Sequence, residues 1–586
     1  MKRLAPLFFF LASLAVAQPA PLITNTPNRA TISLNGRWRT IVDPYDVGEH
    51  MRFFLNAKPQ DPAALVEYDF DTSPLLDVPG DWNSQRDDLL FYEGTVWYEK
   101  SFNYHKREHT RAFVYFGAAA MRATVYLNGT KLGSHEGGYT PFDFEVSDAL
   151  REGPNFLVVE VNNRRRPEAI PSLSTDWWNY GGLTRDVLLV EVPSTFIEDY
   201  FVQLASLTEI AGWIRINGAT QPQNATIEIP EAGVHQSVSI DASGYARFRF
   251  PAHLDLWSPS HPKLYRVMLS AAGDSVQDDI GFRRIETRGT KILLNGEPIF
   301  LRGVSLHEEA AYRGGRAFSA DDDATLLGWA EELGCNFVRL AHYPHNEAVT
   351  RLADKLGLLV WSEVPVYWDS AWTNPATLQN AQDQLRENIT RDHNRASIIL
   401  WSIANETPVD PVRNEFLSKL ADQARQLDPT RLVTAASNHV EHPNPLTRVI
   451  NDPLGEFLDV IGVNEYVGWY EGRPEDADHL QWNMVYDKPL IISEFGAGAP
   501  YGNHGPANVR WTEEYQADVF QRQINMLRKI PALAGMSPWV LMDFRSPRRF
   551  LPGIQDYRNR KGLLSDRGER KQAFYVLQRF YRDLSH

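Results

Sequence analysis

The sequence predicts three domains in succession. These are an N-terminal jelly-roll-like β-sandwich over residues 18–195, an immunoglobulin-like β-sandwich over 196–286, and a C-terminal (β/α)8, or TIM, barrel over 287–586. Three observations carry this reading. Up to residue 286, short alternating segments are broken by Gly, Asn, Asp and Pro, as in antiparallel sheets wetted on one face. From residue 287 onward, apolar runs alternate with helical patterns, as in a parallel sheet covered by helices. Two glutamates, Glu406 and Glu494, each close one of those apolar runs.

The chain opens on a processing segment. Met1-Lys2-Arg3 is basic, Leu4 to Val16 is almost wholly apolar, and Ala15-Val16-Ala17 is a cleavage pattern. Residues 1–17 therefore read as a signal peptide cut before Gln18, with a secreted or periplasmic product. The run is shorter than the roughly 20 residues that cross a bilayer, and no later stretch is long and apolar enough to span. A formal charge of −15 argues against nucleic acid and anionic membranes as partners. It also means that a site for an acidic ligand must supply its own positive field. The single cysteine, Cys335, leaves no internal disulfide, so packing must hold the exported chain together. It enters a candidate strand and reads as a buried structural thiol.

In the first domain, Arg111–Gly117 and Phe156–Val161 read as strands, and Asn128-Gly129 is a hairpin turn after Ala123–Leu127. In the second, Ala225–Ile229 and Ala246–Phe250 alternate cleanly. Its length of about 90 residues suits a seven-stranded immunoglobulin-like sandwich, although the Cys…Trp…Cys marks of antibody domains are absent. The two β-domains are either scaffolds or subunit contacts, so homo-oligomerisation stays open.

The barrel strands are expected at Ile299–Val304, Asn336–Leu340, Leu358–Glu363, Ile398–Asn405, Leu432–Ala436, Val460–Tyr466, Leu490–Glu494 and Gly535–Leu541. Helices over Asp321–Leu333 and Asn346–Lys355 separate the first of them. In such a barrel, functional side chains sit at the C-terminal strand ends. His307 follows the first strand, and Arg339 ends the second with His342 just beyond. Glu363 ends the third, Asn405 and Glu406 the fourth, Asn464 and Tyr466 the sixth, and Glu494 the seventh, with Trp539 on the eighth.

Burying a carboxylate costs several kcal/mol unless it is paired. Two that converge at a barrel mouth make the pair that cleaves glycosidic bonds. A separation of about 5.5 Å would allow double displacement with retention. Glu494 is then the nucleophile, kept ionised beside Arg339. Glu406 is the general acid and then the base, its pKa raised by burial and by the Glu494 charge. Asn405 is placed to hydrogen-bond the sugar 2-hydroxyl. The mechanism requires no metal and no cofactor, and no zinc-type Cys/His spacing occurs.

The run Asp392-His393-Asn394-Arg395-Ala396-Ser397-Ile398-Ile399-Leu400-Trp401-Ser402-Ile403-Ala404-Asn405-Glu406 resembles the acid/base signature of glycoside hydrolase family 2. Asn336-Phe337-Val338-Arg339-Leu340-Ala341-His342-Tyr343-Pro344 resembles its second signature, with Leu340 where a small residue is usual. Trp97-Tyr98 and Gly137-Gly138-Tyr139-Thr140-Pro141-Phe142 resemble its N-terminal sugar-binding-like domain. The resemblance spans the mature chain and implies a retaining exo-acting β-glycosidase with a carbohydrate substrate. Its β-glucuronidase branch carries an Asn-x-Lys pair for the sugar carboxylate, and Asn559-Arg560-Lys561 matches it. The resemblance further implies that Asp176 reaches from the first domain into the site. It also implies that Tyr466 and Tyr470 line the pocket, that His307 is its histidine and that Trp539 is its aromatic floor.

Gln555 stands where some members of that branch carry an arginine, leaving Arg545 or Arg549 to replace it. Failing that, the preference shifts to galacturonides or neutral β-galactosides. A non-catalytic carbohydrate-binding protein on the same fold is the remote alternative. The segment from Glu363 to Arg391 is shorter than the long aromatic loop of some relatives, which implies an entrance open to oligosaccharide or polysaccharide ends.

Overall fold

Alternation in the N-terminal region resolves into two packed antiparallel sheets. One has six strands and the other four, with their apolar faces turned to each other. The computed structural model describes residues 22–59, 61, 63–218, 223–440 and 442–584, so the segment 1–17 and its cut before Gln18 lie outside the described residues. The Asn128-Gly129 turn is present. Leu127 pairs with Thr130, and the two turn residues have φ of 53° and 82°. Two successive positive φ values are what a type I′ hairpin turn demands and what Asn-Gly tolerates.

The second β-unit has a three-stranded and a four-stranded sheet. Alternate side chains of Asn224–Ile229 and Tyr245–Pro251 are buried between them, at the period of two that the sequence carries.

The C-terminal region is a closed barrel of eight parallel strands. They are β1 (Leu301–Leu306), β2 (Phe337–Leu340), β3 (Leu359–Glu363), β4 (Ile398–Asn405), β5 (Leu432–Asn438), β6 (Ile461–Asn464), β7 (Leu490–Glu494) and β8 (Leu533–Met536). Gly535 of β8 pairs with Leu301 of β1 and closes the ring. A side chain at Gly535 would meet the Leu301 Cβ at 2.6 Å, so the closure needs this glycine.

Helix α1 (Ala320–Leu333) follows β1, opened by a capping box between Ser319 and Asp322 and ended by Gly334 at φ 94°. Helix α2 (Glu347–Leu356) follows β2, and α3 (Pro375–Asp392) follows β3. Four strand ends differ from expectation: β1 runs on to Leu306 and β5 to Asn438, whereas β6 and β8 stop early. β8 stops at Met536, because Ser537 and Pro538 follow and proline has no N–H for the ladder. Trp539 therefore lies beyond the strand. β6 stops at Asn464, leaving Tyr466 in the turn after it. Cys335 is half-buried against the barrel core, and burial pushes its thiol pKa up.

The first domain docks on the barrel mouth through buried contacts. Arg185 donates to both carboxylate oxygens of Glu308 at 3.1 and 3.0 Å and to the Pro344 carbonyl at 2.6 Å. Tyr139 stacks on Tyr343 with centroids 4.1 Å apart. The Gln384 amide of α3 donates to the Ile170 carbonyl at 2.8 Å. Among the described residues, no helix is long and apolar enough to cross a membrane.

Candidate active site

The two glutamates stand at the same end of the barrel, on strands β4 and β7, which β5 and β6 separate in the ring. Glu494 is the last residue of β7, and Glu406 is the first beyond β4. Both oxygens of Glu494 accept hydrogen bonds, Oε1 from Arg339 Nη1 at 2.8 Å and Oε2 from the Tyr466 hydroxyl at 2.7 Å. Arg339 is fully buried, and it is held by more than this contact. Its Nη2 donates to Glu363 Oε1 at 3.0 Å and to Asn405 Oδ1 at 2.7 Å. Glu363 in turn accepts from His342, Trp361 and Ser402, each at 2.9 Å. Burial works to raise the Glu363 pKa, but the Arg339 charge and the His342 bond outweigh it and hold it down at about 2. The Asn405 amide nitrogen is buried and has no partner among the described residues, so it is a free donor beside this network.

Glu406 is shifted in the opposite direction from Glu363. Burial first, and the Glu494 charge second, raise its pKa above the ordinary carboxyl value. The Trp368 indole N–H donates to its Oε2 at 2.8 Å. Its backbone sits at φ 50°, in the left-handed region that costs a non-glycine residue on the order of 1–3 kcal/mol. Two interacting carboxyls with unequal environments can divide acid and nucleophile roles between them.

A second cluster adjoins the first. Asp176 arrives from the first domain, on the loop between sandwich strands Gly153–Asn162 and Val187–Pro193. It accepts from the Ser546 hydroxyl at 2.6 Å, from Arg549 Nε at 2.9 Å and from the Asn559 amide at 3.0 Å. Burial opposes its ionisation, yet the Arg549 and Lys561 charges hold its pKa below the usual value.

Lys561 is 4% exposed. Its ammonium donates to the Tyr470 hydroxyl and lies 4.6 and 5.4 Å from the Tyr470 and Tyr466 ring centroids. Among the described residues no carboxylate is within ion-pair distance of it. Lys561, Asn559, Tyr470, Arg549, Arg510 and Arg560 line a cavity of about 300 Å³.

His307 packs among Trp539, His342 and Tyr343 at the barrel end. Its Nδ1 is 3.1 Å from the Tyr343 hydroxyl, and its Nε2 is buried without a partner among the described residues. Burial first, then the neighbouring histidines, push its pKa well down, so the ring is neutral. Trp539 stacks on His342 at 4.7 Å and meets His307 edge-on at 5.1 Å.

The structure places Glu406, Glu494, Arg339 and Asn405 in the first cluster and Asp176, Tyr470, Asn559 and Lys561 in the second, and Tyr466 and Lys561 join the two. Of the two arginines proposed to replace the one absent at Gln555, Arg549 reaches the cluster. The backbone N–H of Arg545 donates to Glu309 instead. Sequence reasoning missed Trp368. The aromatic pair Tyr367-Trp368 just beyond the β3 terminus was the available signal.

The description "Glycosyl hydrolases family 2, TIM barrel domain" matches residues 285–551, and "Glycosyl hydrolases family 2, sugar binding domain" matches residues 32–193. The chain belongs to glycoside hydrolase family 2. Within this family it is most like β-glucuronidases. The Beta-glucuronidase of Paenibacillus borealis is 29% identical, over 94% of this chain and 97% of that protein. The structure of the Bifidobacterium dentium beta-glucuronidase complexed with coumarin-3-O-glucuronide aligns with a TM-score of 0.83 at 26% identity, over 96% of this chain and 98% of that one. A GH2 beta-galacturonidase from Eisenbergiella tayi bound to glycerol aligns with a TM-score of 0.79, also at 26% identity, over 95% of this chain and 97% of that one. The family 2 chain is a β-glycoside hydrolase.

Proposed function

We propose that this enzyme is a retaining exo-β-glucuronidase that releases terminal β-D-glucuronic acid. The observation that carries the reading is Lys561. A buried ammonium with no carboxylate within ion-pair distance among the described residues, beside two tyrosines and near the Asn559 amide, suits the C6 carboxylate of a uronic acid. The protein is strongly acidic overall, so this local cation is what admits a negatively charged sugar.

The proposed chemistry follows from the two carboxyls. Glu494, held by Arg339 and Tyr466, attacks the anomeric carbon. Glu406 gives its proton to the departing oxygen as that bond breaks. A covalent glycosyl-enzyme forms on Glu494. Glu406, now a carboxylate, takes a proton from water, which attacks the same carbon and restores Glu494. The Asn405 amide is the donor for the 2-hydroxyl, an interaction that strengthens as the ring gains positive charge. Each step needs only protons and water.

The similarity to a beta-galacturonidase favours one second reading, since a galacturonide offers Lys561 the same carboxylate. The test is turnover of aryl β-glucuronide, β-galacturonide and β-galactoside by wild type and Lys561→Ala, with the first-formed anomer read by NMR. The expected outcome is a preference for the glucuronide, a β-configured first product, and a loss of about 10²-fold on uronides alone in the variant. A galactoside preference that Lys561→Ala leaves untouched would remove the uronate reading and keep the family.

A further inference from the structure

The Trp368 indole that holds Glu406 also forms one wall of a separate cavity of about 610 Å³. Its other walls are the first-domain segment Ser172-Leu173-Ser174, the loop residues Asp369-Ser370-Ala371 beyond β3, and Arg548. An acid that protonates a departing oxygen has the departing group against it, so space reached past Trp368 is space for the leaving group.

The walls have a definite chemistry. Leu173 is 52% exposed, and the Trp368 ring offers a second apolar surface. Ser370 is 8% exposed, and its hydroxyl is buried with no hydrogen-bond partner among the described residues. The Arg548 guanidinium lies over the Trp368 ring, 4.6 Å from its centroid. It is exposed and makes no ion pair among the described residues. In a chain with 74 acidic and 59 basic residues, an arginine left without a carboxylate beside a reaction centre is an available charge. The one carboxylate in the lining, Asp369, is engaged by the Trp372 indole at 3.1 Å. Only a short connection separates the end of β3 at Glu363 from α3 at Pro375.

We propose that this cavity is the leaving-group subsite and that Arg548, laid on Trp368, selects leaving groups carrying an acidic substituent, such as a second acidic sugar. The inference rests on Glu406 being the acid. Arg548 is a specificity residue in this scheme, whereas Trp368 is a positioning residue for Glu406.

The experiment uses the full chain and a matched pair of substrates, the β-glucuronides of 3-carboxyphenol and 3-carboxamidophenol. They share shape and differ in charge. Wild type should favour the carboxylate. The kcat/KM ratio should fall about tenfold in Arg548→Gln, recover in part in Arg548→Lys, and shrink with added salt, as an exposed charge contact does. An equal ratio in all three proteins overturns the proposal. So does an equal slowing of both substrates in Arg548→Gln, because Arg548 would then only prop Trp368. If aryl glucuronides are not cleaved, the glucuronidase reading fails. The same ratio is then measured on the galacturonide or galactoside that is cleaved, and it decides the subsite independently.

Discussion

At the scale of single residues, the proposed chemistry asks one carboxyl to give a proton and the other to form a bond. Glu406 is raised by burial and by its neighbour's charge, so it stays protonated further up the pH scale than an ordinary glutamic acid. Activity that needs this proton must fall as pH rises through the raised value. Glu406→Gln should lose that alkaline limb on substrates with poor leaving groups, as read from kcat/KM across pH; an unchanged limb would remove the acid assignment. Glu406 and Glu494 were legible because each closes an apolar strand, where a carboxylate contributes nothing to packing. Arg549 was legible only as one of two candidates. Residues 545–558 leave and rejoin the barrel end between the paired segments Phe544–Arg545 and Arg558–Asn559, so a side chain's position there depends on the path of the loop. The left-handed backbone at Glu406 had no signature at all, since nothing but glycine or asparagine advertises it.

At the scale of elements, the barrel strands set the chemistry by putting Arg339, Glu363, Asn405 and Glu494 at neighbouring termini. Glu363 never touches substrate in this scheme, yet it fixes Arg339, which fixes Glu494. Its folded pKa of about 2 lies below the ordinary 4.5, so between these values the native state binds fewer protons than the unfolded chain. The stability it contributes is complete above pH 4.5 and is lost as pH falls toward 2. Glu363→Gln should therefore cost about 3–5 kcal/mol at neutral pH, where it leaves a buried guanidinium short of a partner. The gap in melting temperature from wild type should narrow toward pH 3, as seen by calorimetry; a constant gap would mean that Glu363 acts through shape alone. The strands were legible because they are buried on both faces and read as continuous apolar runs. The end of β8 was misjudged for the same reason, since Trp539-Val540-Leu541 prolongs the run, although Pro538 within it was a visible stop.

At the scale of the molecule, the site belongs to two domains. Asp176 and Ser546 hydrogen-bond across 370 positions of sequence. No local pattern reports such a contact, and the family resemblance pointed Asp176 toward the barrel without naming its partner. The interface also stores an uncompensated acid. Asp323 of α1 is buried with neither carboxylate oxygen bonded among the described residues. Burial first, and the Glu308 charge next, raise its pKa from 3.8 to about 8. Between those values the native state holds a proton that the unfolded chain has released, so stability falls as pH rises. Asp323→Asn should flatten that slope and melt higher than wild type near pH 8; parallel melting curves for the two proteins from pH 5 to pH 8 would contradict it.

The crossing of Asp176 into the barrel has a consequence for how the enzyme comes alive. A barrel that closes alone has both glutamates but lacks one wall of its sugar pocket, and a finished sandwich has only a loop with a stray aspartate. On the proposed chemistry, turnover should begin only once the two have met. Catalysis is thus a timer for domain docking. In a refolding experiment, recovery of hydrolysis should lag recovery of helical signal by the interval the halves need to find each other.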